Sequence, residues 1–430
     1  MRDSIWPLKD NYKHMRLVYN LSMYLLDLVM KIGSQGSVKL KKAVDGRKGI
    51  FESLRDFRKK HPSPLVWFHV ASLGEYEQAK PVIAAFKEKY PLWAVAVSFF
   101  SPSGYEQVIK KKQRWVDYFT YIPIDKPSQA KKFVEILAPD LVIFIKYDLW
   151  ANHLLEVKKR KIPSYLVAAS FRKEQVYFSW YGSFFRKILF CFHHIFTQNT
   201  ASIDLLKQIG YKNSTQTGDP RFDNVAAISL CPKSFPAIRE SIRQPVMVLG
   251  SVWQEDMDLL IPWINQSEDL QFIIAPHDLH AGTIQKWQQG IQKTSLTYSK
   301  FESGEESREW QVLIIDNIGM LSSLYQFARW AYVGGAFGKG LHNILEPLAF
   351  GIPVLFGQVK RASKFPEAAI SQQYGCGFPV KHKEDLFDAM NHLNQITPYK
   401  QARQAAKKLL RDNLGSAEKT IAIIKNEHER

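Results

Sequence analysis

Short β-rich apolar runs alternate with helical segments along this chain, and the series occurs twice. Residues 65–71 (LVWFHVA), 93–99 (WAVAVSF), 140–145 (DLVIFI), 164–168 (SYLVA) and 194–198 read as strands. So do 245–250 (PVMVLG), 271–275, 311–315, 330–333 and 353–356. Helical patterns such as 76–90 and 125–137 separate most of them. Alternation of this kind builds parallel sheets through right-handed crossovers. The interval 226–244, with Cys231-Pro232 and Phe235-Pro236, divides the series and reads as a linker. The expected fold is therefore α/β, with two Rossmann-like domains facing a cleft. Ligands of such sheets bind beyond the carboxyl ends of the strands, so motifs directly after strands carry most weight.

The segment 13–34 stands apart. On a helix at about 100° per residue, Lys13, Arg16, Asn20, Asp27, Lys31 and Ser34 share a stripe of roughly 60°. Leu17, Val18, Leu21, Leu25, Leu28, Val29 and Ile32 lie among the apolar residues of the remaining circumference. A bilayer span needs about 20 apolar residues with few charges. A polar stripe interrupts the apolar surface of this segment, which suits a helix lying in a membrane interface; packing into a core is the alternative. Lys39, Lys41, Lys42, Arg47 and Lys48 follow and would suit an anionic leaflet.

Composition narrows the function. The 430 residues hold 58 Lys and Arg against 41 Asp and Glu, a net charge of +17, which favours anionic partners. A generally basic, solubilising surface would read the same way. Apolar residues make up 46% of the chain, neither a disordered composition nor a multi-span membrane one. Cys191, Cys231 and Cys376 are odd in number and widely spaced, against a disulfide framework or structural zinc. No secretory cleavage pattern is evident.

Four motifs after strands carry candidate chemistry. In Ala71-Ser72-Leu73-Gly74-Glu75, a turn would place Glu75 at a helix start, as a general base on a hydroxyl or as a carboxylate complementing the helix dipole. Gly334-Gly335-Ala336-Phe337-Gly338-Lys339-Gly340 would bring backbone N–H groups to a phosphate. It leads into Leu341-His342-Asn343-Ile344-Leu345-Glu346, where Glu346 could accept from ribose hydroxyls. Ala275-Pro276-His277-Asp278-Leu279-His280 offers two histidines without a third ligand, which argues against a metal. Asp219-Pro220-Arg221-Phe222-Asp223 presents a guanidinium that could clamp a carboxylate or phosphate.

Together these residues resemble the Kdo (3-deoxy-D-manno-octulosonic acid) transferases of lipopolysaccharide synthesis, glycosyltransferase family 30. The resemblance runs from the N-terminal helix to about residue 410. GRKGIF (46–51) follows the helix as the family's basic linker does, and WFHVASLGE (67–75) is similar to the block that carries the catalytic base, on Glu75. SPSG (101–104) and YIPID (121–125) match flanking blocks. GDPRFD (218–223) has Arg221 where the family usually has Lys, and GSVWQED (250–256) brings Ser251 to the donor. The nucleotide-contacting blocks fall on Pro276 and His277, on Ile318, Gly319 and Met320, and on Asn343, Ile344, Leu345 and Glu346, with Gly335 in the glycine loop. IKYDLW (145–150) departs from the pattern: Lys146 stands where an acid with a transition-state role is usual, and Asp148 keeps the second acid.

The resemblance implies a GT-B fold. It assigns 1–38 to a membrane-associating helix, 39–230 to an acceptor-binding domain, 231–244 to a linker and 245–430 to a CMP-Kdo-binding domain with returning C-terminal helices. It also implies an inverting transfer of Kdo from CMP-Kdo to a lipid A precursor (lipid IVA). The catalytic set would be Glu75, Arg221 and Lys146, without metal or other cofactor. The expected place is the cytoplasmic face of the inner membrane. A GT-B transferase using another donor, such as a UDP-sugar, is the alternative. A basic nucleic-acid-binding protein is the alternative of another class, and no nucleic-acid motif supports it.

Overall fold

The computed structural model describes residues 10–110, 113–146, 148–304, 309–338, 340–360 and 364–428. Tyr147 and Lys339, each within a motif named above, lie outside the described residues. The chain forms two units. One runs to Asn224 and takes in the chain again from Gly415; the other is Val225–Leu414. The division falls inside the helix Pro220–Leu230. The last helix, Ser416–His428, belongs to the first unit. Its start is held by Asp223, whose carboxylate accepts from Gly415 N (2.7 Å) and Ala417 N (2.8 Å). Ala417, Ile421 and Ile424 then enter the core of that unit.

Each unit carries one seven-stranded parallel sheet. The first contains β1 (Leu65–Val70), β2 (Ala94–Phe99), β3 (Tyr118–Tyr121), β4 (Leu141–Ile145), β5 (Ser164–Ala169), β6 (His194–Thr197) and β7 (Ser214–Gln216), in the order β3-β2-β1-β4-β5-β6-β7. The second contains β8 (Val246–Val252), β9 (Gln271–Pro276), β10 (Ser295–Thr297), β11 (Val312–Ile314), β12 (Ala328–Val333), β13 (Val354–Gly357) and β14 (Gly377–Val380), in the order β10-β11-β9-β8-β12-β13-β14. All ten runs expected from the sequence are strands. The four not expected, β3, β7, β10 and β14, are the edges of the two sheets.

Burial explains both results. Every residue of β1, β2, β4, β5 and β9 is buried, because helices cover both faces of the sheet. Successive side chains enter opposite layers. Leu65 and Trp67 join one core with Phe133, Phe144 and Leu166, while Val66, Phe68 and Val70 join another with Val82, Phe86 and Tyr165. In the second unit Met247 and Leu249 pack with Leu260, Trp263 and Trp287. The edges are short: β7 is Ser-Thr-Gln with no buried residue, and β14 contains Pro379.

The N-terminal helix spans Asp10–Gly33. Tyr12, Met15 and Tyr19 pack against the core of the first unit, and Met30 is buried. The opposite face, with Leu17, Val18, Leu21, Leu25, Leu28, Val29 and Ile32, is more than half exposed. Polar contacts fix its orientation. Asn20 Oδ1 accepts from Asn152 Nδ2 (2.9 Å), and Asp27 pairs with Lys126 (2.8 Å). No helix among the described residues is long and apolar enough to cross a membrane.

Asp125 anchors this junction. Its carboxylate is fully buried and accepts from Tyr19 Oη (2.5 Å), Asn152 N (2.8 Å) and His153 N (2.9 Å), with His153 Nδ1 at 2.5 Å. Asp125→Ala leaves those donors without an acceptor, at a cost of about 3–5 kcal/mol. We expect a lower melting temperature and early proteolytic cleavage within residues 10–33, read by thermal unfolding and limited proteolysis.

Candidate functional site

In an open parallel sheet a crevice forms where connections from neighbouring strands leave in opposite directions. In the first sheet that point lies between β1 and β4, and in the second between β8 and β12. The candidate residues gather at these two points.

β1 ends at Val70, and the helix Leu73–Lys89 starts three residues later with Glu75 in its first turn. Glu75 Oε2 accepts from Ala71 N at 2.5 Å, so the carboxylate folds back over the strand end. Burial pushes its pKa up to about 7, and the Asp148 carboxylate adds to the rise. The Ala71 N–H and the Lys146 ammonium act the other way. Lys146 is the first residue after β4 and has left-handed backbone, φ 66°, with its N–H donated to Val167 O (2.8 Å). Burial also raises Asp148. Glu75, Lys146 and Asp148 thus form one electrostatic group at the first switch point. A carboxyl near neutrality at a strand end can take a proton from a hydroxyl.

A buried network fixes the turn that carries them. Trp150 Nε1 donates to His69 Nε2 (2.9 Å). His69 therefore carries its proton on Nδ1 and donates it to Ser98 Oγ (2.9 Å), which also accepts from Trp67 Nε1 (2.7 Å). Burial lowers the His69 pKa to about 3, so the ring stays neutral.

Arg221 lies in the first turn of the helix Pro220–Leu230. Its guanidinium pairs with Asp219 at 2.8 Å, and the same carboxylate accepts from Arg221 N (3.0 Å). Arg221 thus shares its charge with Asp219, and its side chain is 22% exposed, enough to meet an anion.

In the second unit Ser251, near the end of β8, also has left-handed backbone, φ 54°. Beside it the chain leaves β12 as Gly334-Gly335. A Cβ on Gly334 would stand 2.6 Å from Asp256 Oδ2 and 2.7 Å from Ser251 O. Gly335 has φ 98° and gives its N–H to Asp256 Oδ2 (3.0 Å). Pro276 ends β9, and His277 follows with an exposed ring stacked 4.3 Å from both Trp253 and His342. Trp253 Nε1 donates to His342 Nε2 (3.0 Å), while burial and the neighbouring His277 bring His342 down to about 4. Ile318 and Gly319 lie in an exposed turn after β11, where Gly319 O accepts from Lys233 Nζ (2.7 Å). Met320, Ile344 and Leu345 are buried, so their backbone groups are what a ligand can reach. Asn343 Oδ1 accepts from Leu345 N (3.2 Å), and its Nδ2 donates to Glu346 Oε1 (3.3 Å).

Two features differ from expectation. The helix after the glycine loop is only Leu345–Ala349, ended at the turn of Gly351, φ 70°. Loop N–H groups, not a helix dipole, are therefore the donors available there. Asp256 was not singled out in the sequence, yet it holds Gly335 N, Trp253 N (2.9 Å) and Tyr332 Oη (2.9 Å). The signal was present as an acid three residues beyond the helix cap Trp253. Among the described residues no three His, Cys, Asp or Glu side chains gather as a metal-ligand set.

Comparison with known proteins agrees with the sequence blocks. Residues 44–224 match the family described as 3-deoxy-D-manno-octulosonic-acid transferase (kdotransferase). A 3-deoxy-D-manno-octulosonic acid transferase of Chlamydia trachomatis serovar A is 26% identical, over 86% of this chain and 87% of that protein. One of Aquifex aeolicus is 25% identical, over 77% and 86%. The solved structure of a glycosyltransferase from Rickettsia africae superposes with a TM-score of 0.53 at 11% identity, over 85% of this chain and 98% of that one. That likeness speaks for the fold alone, which is GT-B.

Two outcomes follow from the geometry. Gly334→Ala forces a methyl against the Asp256 carboxylate and should destabilise the second unit by about 1–3 kcal/mol, read as a lower melting temperature. Glu75 has a raised pKa in the folded chain. Its protonated form favours folding fully below the ordinary value of 4.5, and that contribution is lost as pH rises through about 7. Glu75→Gln cannot ionise, so its melting temperature relative to wild type should climb between pH 5 and 8.

Proposed function

We propose that this homologue of the Kdo transferases, a glycosyltransferase, moves Kdo from CMP-Kdo to a hydroxyl of a lipid A precursor, lipid IVA. The observation that carries the reading is Glu75 at the first switch point, a buried carboxyl brought to about 7. The acceptor O–H gives its proton to Glu75 as oxygen bonds to the anomeric carbon. The bond from that carbon to the CMP phosphate breaks, and its electron pair leaves with CMP. One displacement inverts the centre. Arg221 and Lys146 offset the negative charge of the phosphate and the Kdo carboxylate. Pro276 and His277, the 318–320 turn, Asn343 and Glu346 would hold the nucleotide.

We place the reaction at the cytoplasmic face of the inner membrane. The exposed apolar face of the helix Asp10–Gly33 supports this. Trp180 and Tyr181 are exposed as well, and the nearby Phe184 packs at a tilt against Tyr12 and Tyr19 of that helix. Aromatic side chains suit the headgroup level of a bilayer.

Incubation with CMP-Kdo and lipid IVA, with products read by mass spectrometry, tests the transfer; a UDP-sugar in place of CMP-Kdo should give none. Below about pH 7 the rate should fall as Glu75 gains its proton. Glu75→Gln should lose about 10²–10⁴-fold in turnover, with CMP affinity unchanged in calorimetry. Turnover within a few-fold of wild type would remove Glu75 from the chemistry.

A further inference from the structure

We propose that the second unit holds a separate site for a phosphate group, at the amino end of its sheet. A cavity of about 380 Å³ lies there, with Arg329, Tyr399, Lys400, Arg403 and Lys407 in its wall. Arg329 is the second residue of β12, whereas Gly334 follows the other end of the strand. At about 3.3 Å per residue the two places are roughly 17 Å apart.

The cations are arranged by one helix and one ring. The helix Ile396–Asp412 brings Tyr399, Arg403 and Lys407 to one face at four-residue spacing. The Arg329 guanidinium lies 4.8 Å from the Tyr399 ring centre and 4.6 Å from that of Trp330, and Arg403 lies 5.8 Å from Tyr399. Arg403 Nε donates to Gly351 O (3.1 Å), which holds its fork in place. Arg329 Nε is buried and makes no hydrogen bond. No carboxylate pairs with any of the four cations among the described residues. The helix has a single acid, Asp412, which is taken by Lys408 (2.6 Å) and Tyr374 (3.0 Å).

Four like charges around one cavity repel, and low-dielectric walls focus their field. A bound anion removes that repulsion. Planar guanidinium groups match phosphate oxygens in pairs, and ammonium groups add charge at the rim. The volume suits a small ligand or a headgroup rather than a strand or helix of a partner. The shared chemistry is a phosphate ester, supplied either by a soluble compound or by an anionic lipid.

Full-length protein titrated with inorganic phosphate, followed by thermal shift, reads the soluble source. Sedimentation with vesicles of phosphatidylcholine, with or without phosphatidylglycerol, reads the lipid source. Lys400→Gln/Lys407→Gln changes two exposed side chains, and Arg329→Gln/Arg403→Gln changes the inner pair. Each lysine near an anionic surface contributes roughly a factor of five, so the lysine pair should weaken the response by about tenfold or more. The glycine loop is intact in both variants, so any anion bound there cancels in the comparison. A weaker phosphate response assigns a soluble ligand, and a weaker response to phosphatidylglycerol vesicles alone assigns a lipid headgroup. Responses equal to wild type in both assays, for both variants, overturn the proposal.

Discussion

A parallel strand cannot return to its neighbour without a crossover, and here the crossovers are helices that bury a face of the sheet. That constraint arranges each unit. It puts apolar side chains on both faces of the central strands, as in β1 and β9, where every residue is buried. It also leaves the carboxyl ends of the strands as the places where the chain can turn without covering itself. Glu75, Lys146, Ser251 and Gly335 lie at or just beyond such ends, at the strands where the order reverses. Chemistry there rests on a scaffold whose own residues take no part in it.

The same constraint decides what the sequence could disclose. A strand covered on both faces is an uninterrupted apolar run, and all ten such runs were legible. The edges have a neighbour on one side only, so Ser214–Gln216 carries no hydrophobic signature and Gly377–Val380 tolerates Pro379. Among candidate site residues, the place of Glu75 was legible because it follows an obvious strand, although Gly74, expected in a turn, is the second residue of the helix Leu73–Lys89. The work of Asp125 and Asp256 was not. Each satisfies donors far away in the chain, such as Tyr19 for Asp125 and Gly335 for Asp256. No local pattern encodes a partner found only after folding.

The N-terminal helix shows how a periodicity can support two readings at once. Its polar stripe separates two apolar faces. Tyr12, Met15 and Tyr19 serve the core, and Leu17, Leu21, Leu25 and Leu28 remain outside. A helix that only packed inward would not need the second face, and one that only lay on a surface would not need the first. Asn20 and Asp27 settle which is which, because their partners Asn152 and Lys126 stand on the body of the unit.

Lys146 shows how a single charge at a strand end acts on its neighbours. A lysine in left-handed backbone costs of order 1–2 kcal/mol, and its N–H bond to Val167 O holds it there. What the position gains is electrostatic. Burial and Asp148 both drive Glu75 upward, and Lys146 opposes them. An acid at 146 would have joined Asp148, leaving Glu75 more fully protonated near neutral pH and so less available as a base. With lysine, the carboxyl rests near 7, where ionised and protonated forms coexist. A base is most useful near its working pH, since both its charge and its proton affinity count. A cation beside Glu75 thus still leaves a carboxyl at the strand end able to accept a proton.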